Sequence, residues 1–188
     1  MSAVAHGAVV LAAGASRRLG QAKALLRHDG ESLLRRATRL ALDTQALEVV
    51  VVLGAEAAAA RELDGLAARA VACPGWDEGM AASLRTGIAA LDPRCAGALV
   101  LLCDQPALDG AHLAALLAAW RAHPGHAAAS AYAGVRGVPA ILPRAWFGAV
   151  ARLRGDAGAR ELLRTREDVV LVSGPGLARD IDTPEDLA

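Results

Sequence analysis

Lysine is almost missing from this 188-residue chain: of its 20 basic residues, all but Lys23 are arginine. Aromatic residues make up only 3%, too few for the stacking platforms that bind single-stranded nucleic acid. Neither charge is in excess, because 20 basic residues meet 20 acidic ones. No nucleic-acid surface and no polybasic membrane tether is therefore expected. No apolar run approaches the roughly 18–20 residues that span a bilayer. The first residues lack a basic stretch leading into a long apolar core, so no signal peptide is expected. Cysteine is sparse as well. Cys73, Cys95 and Cys103 form no C-x-x-C pair, which points to a reducing cytoplasm and away from a disulfide framework or structural zinc. The histidines are scattered, and His123 and His126 flank Pro124-Gly125 at what reads as a surface helix end.

What is present is apolar and alternating. The hydrophobic share is 54%, much of it alanine, and the length suits one domain over residues 1–188. Short β-branched or aliphatic runs predict strands at Ala8–Leu11, Glu48–Leu53, Ala70–Cys73 and Gly97–Cys103. Between them, apolar residues at helical spacing predict helices over Ser32–Leu42, Glu56 to about Arg69, and Met80–Leu91, with another over Asp109–His123 capped by Asp109. Strands alternating with helices imply a mostly parallel sheet between helical layers, a three-layer α/β/α sandwich of Rossmann-like type. The remainder predicts strands at Ala127–Tyr132, Val138–Leu142 and Asp168–Val172. Helices are expected from Pro143 to about Leu153 and over Glu161–Arg164, and a last one after Thr183-Pro184.

Ligands of such sheets bind beyond the carboxyl ends of the strands. Two stretches fall there. After Leu11 come Ala12, Ala13 and Gly14, small residues that let a backbone approach a bulky group, then Arg18, Gly20 and Lys23. Bare amides beside two cations fit a polyphosphate. In a chain this depleted of lysine, the one that remains lies in this loop. A compact ammonium enters between phosphate oxygens where a planar guanidinium is too wide. The stretch matches neither G-x-x-x-x-G-K-[ST] nor G-x-G-x-x-G, since five residues lie between Gly14 and Gly20. The second stretch is Asp104-Gln105-Pro106, directly after the most apolar strand. A carboxylate there suits Mg2+, which takes one or two carboxylates plus phosphates and water. Asp180 and Asp182 are the candidates for a second carboxylate, two apart and so facing one side of an extended segment.

Taken together, these motifs resemble the nucleotidyltransferases related to the molybdenum-cofactor guanylyl- and cytidylyltransferases, the MobA-like superfamily. Leu11-Ala12-Ala13-Gly14-x-Ser16-x-Arg18-Leu19-Gly20-x-x-Lys23 is similar to their first signature. Glu78-Gly79-Met80-x-x-Ser83-Leu84-Arg85-x-Gly87 resembles the segment that contacts base and ribose. Cys103-Asp104-Gln105-Pro106 resembles the magnesium motif, and Asp180-x-Asp182-Thr183-Pro184-Glu185-Asp186-Leu187 the C-terminal signature. Gly137-Val138-Pro139 and Gly155-Asp156-x-Gly158-Ala159-Arg160 look like the acceptor side of the cytidylyltransferase branch. In that family Leu-Ala-Ala-Gly accompanies cytidylyl transfer and Leu-Ala-Gly-Gly guanylyl transfer, so Ala13 favours CTP. Leu19 replaces the usual methionine, and Ile141-Leu142 stands where a phenylalanine is common.

The resemblance implies transfer of CMP from CTP to the terminal phosphate of molybdopterin, with release of pyrophosphate. Leu11, Ala12, Ala13, Gly14 and Gly20 would cradle the nucleotide, and Ser83 would bond near base or ribose. Lys23 and Arg18 would neutralise the phosphates, and Asp104 with Asp182 or Asp180 would hold Mg2+. Asp156 and Arg160 would face the acceptor. A molybdenum hydroxylase would receive the product. Two alternatives remain open: transfer to another phosphorylated acceptor or from GTP, and a cofactor-carrying accessory protein for such a hydroxylase. An NAD-dependent oxidoreductase would lack its glycine fingerprint.

Overall fold

The sheet is built outward from its most buried strand. In the computed structural model, which describes residues 4–14, 22–54 and 57–179, β1 (His6–Ala12) is buried along nearly its whole length. It pairs in parallel with β4 (Val49–Leu53) on one side and with β6 (Gly97–Leu102) on the other. These strands lie inside the sheet with both faces covered, so their sequences are continuously apolar rather than alternating. β5 (Arg69–Ala72) extends the sheet beyond β4. Beyond β6, β8 (Val135–Pro143) runs antiparallel to it, followed by β7 (Ala127–Tyr132) and β9 (Val169–Ser173). The order among the described residues is β5-β4-β1-β6-β8-β7-β9. β2 (Arg27–His28) and β3 (Glu31–Ser32) form a separate two-residue hairpin.

Helices cover both faces. α1 (Leu33–Asp43) and α3 (Gly110–Ala122) bring Leu34, Leu40, Leu113, Leu116 and Trp120 against Val10, Val51, Leu99 and Leu101. On the other face α2 (Met80–Ala90), α4 (Phe147–Val150) and α5 (Ala159–Thr165) bring Leu84, Ile88, Val150 and Leu163 against Val9, Val50, Val52 and Val100. Ser32 caps α1 by accepting from the Arg35 amide, and Asp109 caps α3 by accepting from the His112 amide.

Two expected helices are corrected. Over 57–63 the chain forms a 3-10 helix, and Arg69 already belongs to β5. Ala59 and Leu63 are buried there, too narrow a stripe to hold a long helix against the sheet, and Gly65 turns the chain at φ 78°. The helix expected from Pro143 instead begins after Pro143, as a 3-10 turn, Arg144–Trp146, followed by the short α4. The strand expected at Val138–Leu142 is longer. It forms a hairpin with β7 through Ala133 and Gly134, both at positive φ (47° and 74°), the geometry whose twist suits adjacent antiparallel strands. No helix among the described residues is long and apolar enough to cross a membrane.

Buried His6 makes the fold sensitive to acid. Thr44 donates its hydroxyl to the Ala41 carbonyl, so the His6 ring, 3.0 Å away at Nε2, donates to Thr44 Oγ1. Burial, with the charge of Arg121 second, lowers the His6 pKa from 6.5 to about 4. Between these values the unfolded chain binds a proton that the folded chain refuses. The contribution of His6 is therefore complete above about pH 6.5 and is lost as pH falls toward 4. Wild type is expected to lose about 2 kcal/mol more than His6→Gln between pH 7 and pH 5. Urea denaturation of both proteins at the two pH values checks this.

Candidate active site

β1 and β6 are neighbours in the sheet, with Leu11 opposite Leu102. The chain leaves β1 toward β4 on one side, whereas β6 lies on the other. This is the divergence at which open α/β sheets form a crevice. A cleft of about 110 Å³ opens there, lined by Leu11, Ala12, Gly14, Lys23, Ala24, Met80, Leu102, Cys103 and Asp104. Lys23 opens a 3-10 turn (Lys23–Leu25) whose middle residue, Ala24, is buried. The Leu26 amide donates back to the Lys23 carbonyl, and the Leu33 amide to that of Leu26, which ties the turn to α1.

Across the cleft, Lys23 Nζ stands 3.4 Å from Asp104 Oδ2, with each side chain 21% exposed. The other carboxylate oxygen, Asp104 Oδ1, is buried and has no hydrogen-bond partner among the described residues. A buried oxygen of this kind is costly unless something binds it. A hard divalent cation, which prefers carboxylate oxygen, fits that need. Cys103 also lines the cleft, but burial first, then the Asp104 charge, pushes its thiol up to about 12.

A second group of predicted residues meets the rim. Gly79, at φ 122°, precedes α2, and a Cβ built there would stand 2.5 Å from Asp156 Oδ1 and 2.6 Å from the Gly155 carbonyl oxygen. A Cβ on Gly158 would stand 2.9 Å from Met80 Cγ. The two segments interlock only because both positions lack side chains. The Ala81 amide donates to the Gly155 carbonyl at 3.0 Å. Arg85 grips Glu78 with two bonds, at 3.0 and 2.7 Å, and donates to the Leu153 carbonyl at 2.6 Å. That guanidinium holds the Glu78 carboxyl below its ordinary value. Met80, which lines the cleft, thus also touches the 155–158 turn.

Of the predicted residues, Leu11, Ala12, Gly14, Lys23 and Asp104 share one cleft. Ala13 does not line it; its side chain is buried in the core against α2. Ser83 is 5% exposed on α2 and is likewise not among the cleft-lining residues. Asp156 and Arg160 are exposed, the first against Gly79 and the second in α5. Arg18, Gly20, Asp180 and Asp182 lie outside the described residues. Among the described residues no group of three or more His, Cys, Asp or Glu could hold a metal. A larger cavity of about 500 Å³ lies beside α2 and α4, lined by Ile88, Leu91, Phe147 and Val150 with Arg85 and Arg144. It contains no acid, and Arg85 is its one residue from the Glu78–Gly87 segment. Two residues of the site region escape a reading by residue type: Met80, one of the apolar walls of the cleft, and Gln105, buried next to Asp104 in the chain.

Residues 8–169 match the MobA-like NTP transferase domain, and the chain belongs to that family of nucleotidyltransferases. It is 36% identical to the nicotine blue oxidoreductase of Paenarthrobacter nicotinovorans, over 95% of this chain and 93% of that one. It is 33% identical to the purine catabolism protein PucB of Bacillus subtilis, over 95% and 92%. The crystal structure of Rv0371c from Mycobacterium tuberculosis superimposes with a TM-score of 0.86 at 32% identity, over 99% of this chain and 96% of that one. A second structure of Rv0371c, in complex with manganese, aligns at a TM-score of 0.79 and 29% identity, over 97% and 95%.

Proposed function

We propose that the chain, acting as one cytoplasmic nucleotidyltransferase domain over residues 1–188, moves CMP from CTP to the phosphate of molybdopterin. The observation that carries this reading is the Lys23–Asp104 pair across the cleft beyond β1 and β6, with Asp104 Oδ1 buried and without a hydrogen-bond partner among the described residues. An oxygen of the acceptor phosphate attacks the α-phosphorus of CTP. A new P–O bond forms, the bond from the α-phosphorus to its bridging oxygen breaks, and pyrophosphate leaves with that electron pair. The protein positions the reactants and neutralises charge. Backbone amides after Leu11 hold the phosphates, and Lys23 and Arg18 balance the charge that grows on them. Asp104, with Asp182 or Asp180, holds the divalent cation. When bound, Mg2+ polarises the phosphoryl oxygens as a Lewis acid. Ser83 serves the base or ribose, and the exposed Asp156, beside Gly79, and Arg160, in α5, face the acceptor. The manganese in the Rv0371c complex supports a divalent cation for this architecture. A molybdenum hydroxylase is the proposed recipient of the product.

Pyrophosphate release with molybdopterin, measured in parallel for CTP, GTP, ATP and UTP, tests the proposal. CTP is expected to be used best, and preference for GTP would overturn the argument from Ala13. A second reading, an oxidoreductase, rests on the name of the P. nicotinovorans relative, nicotine blue oxidoreductase. Nicotinamide-dependent turnover without pyrophosphate release from any nucleotide would select it.

A further inference from the structure

Asp104 does not hold its position alone. The next residue, Gln105, is 3% exposed. Its backbone carbonyl accepts from the Leu108 amide at 3.1 Å, and its side-chain Nε2 donates to the Val138 carbonyl at 3.1 Å. That carbonyl has left the sheet ladder. Pairing of β6 with β8 ends at Val100–Ala140. Pairing of β7 with β8 passes from Ala129–Ala140 to Ser130–Gly137, skipping Val138 and Pro139. Side chains collect the two displaced carbonyls. Gln105 and Tyr132 (3.0 Å) donate to Val138, and Ser130 (2.6 Å) donates to Pro139. Only Gln105 among these three adjoins Asp104 in sequence. Its Oε1, like Asp104 Oδ1, is buried without a hydrogen-bond partner among the described residues. The amide is therefore held by its donor end.

We infer that Gln105 is a positioning residue for Asp104: its bond to the Val138 carbonyl fixes where the carboxylate stands in the cleft, and so sets the affinity of the site for a divalent cation. The inference deepens the metal role proposed for Asp104 and rests on it. The bond does not reach the carboxylate itself; it anchors the residue beside it, and losing the support around a metal ligand typically weakens binding about 10- to 100-fold.

The test uses the full chain and Mn2+ alone, with binding read by electron paramagnetic resonance. Gln105→Met keeps length and removes the donor. Tyr132→Phe removes the other donor to the same carbonyl. Gln105→Met is expected to weaken Mn2+ binding at least about tenfold, while Tyr132→Phe leaves it unchanged. Both are expected to lower Tm by a few degrees, so a purely structural role predicts no difference in affinity between them. Unchanged Mn2+ affinity in Gln105→Met, or an equal loss in Tyr132→Phe, would overturn the inference. Should Gln105→Met fail to fold, Gln105→Ala, which leaves room for water at the Val138 carbonyl, is read in the same way. Asp104→Asn is the control for the underlying reading. If it binds Mn2+ like wild type, Asp104 is not the ligand and the metal role itself fails; if it loses binding while Gln105→Met does not, only the positioning role fails.

Discussion

Lys23→Ala and Asp104→Ala are each expected to cut kcat for pyrophosphate release by about 10²- to 10³-fold, the usual loss when one preorganised charge stabiliser is removed. Their effects on stability should differ from their effects on rate. Each side chain is about one-fifth exposed and the pair spans 3.4 Å, so its direct contribution to folding is at most about 1 kcal/mol. Asp104→Ala also deletes a buried oxygen without a hydrogen-bond partner, which lowers the cost of burial. Its Tm is therefore expected to equal or exceed that of wild type while its turnover collapses. Calorimetry and steady-state kinetics on the same preparation check both halves. Because the two groups act on one nucleotide, the double variant should lose little more than the worse single variant.

Gly79→Ala carries the second large effect. A Cβ at that position would meet backbone, the Gly155 carbonyl carbon and oxygen at 2.6 Å, as well as the Asp156 carboxylate. The backbone cannot yield as the end of the exposed Asp156 side chain can. The residue also holds φ 122° and ψ −170°, a region almost reserved for glycine. Strain and overpacking together predict a loss of about 2–5 kcal/mol, or about 10 °C in Tm for a chain of this size. The damage should centre on the 153–158 turn. The Ala81–Gly155 and Arg85–Leu153 bonds hold that turn to α2, so its amides are expected to lose hydrogen-exchange protection most.

The parallel half of the fold was open to a reading of the sequence because its physics is local. A strand buried on both faces must be apolar throughout, as in Val49–Leu53, and a capping serine or aspartate marks the helix that follows. The antiparallel half was less legible. The turn joining β7 to β8 places Ala133, rather than asparagine or aspartate, at positive φ, so its usual signature is missing. The 3-10 segment over 57–63 is alanine-rich and reads as an α-helix until its meagre packing is known. At the site, Lys23 and Asp104 announced themselves by charge placed after apolar strands. Ala13 stands in the first motif and Ser83 in the Glu78–Gly87 segment, but both turn into buried surroundings; spacing along the chain did not reveal that. Gln105 escaped because its partner, the Val138 carbonyl, is a main-chain group 33 residues away, and a backbone acceptor leaves no mark in the sequence.

Lys23 and a cation on Asp104 are proposed to hold the same triphosphate. A crystal of the chain grown with CTP and Mn2+, with data collected at the manganese absorption edge, measures this most directly. An anomalous peak on the Asp104 carboxylate is expected, with Lys23 Nζ in hydrogen-bond contact with the phosphates of the same CTP. Manganese bound away from Asp104, or CTP seated in the cavity beside α2 and α4, would contradict it.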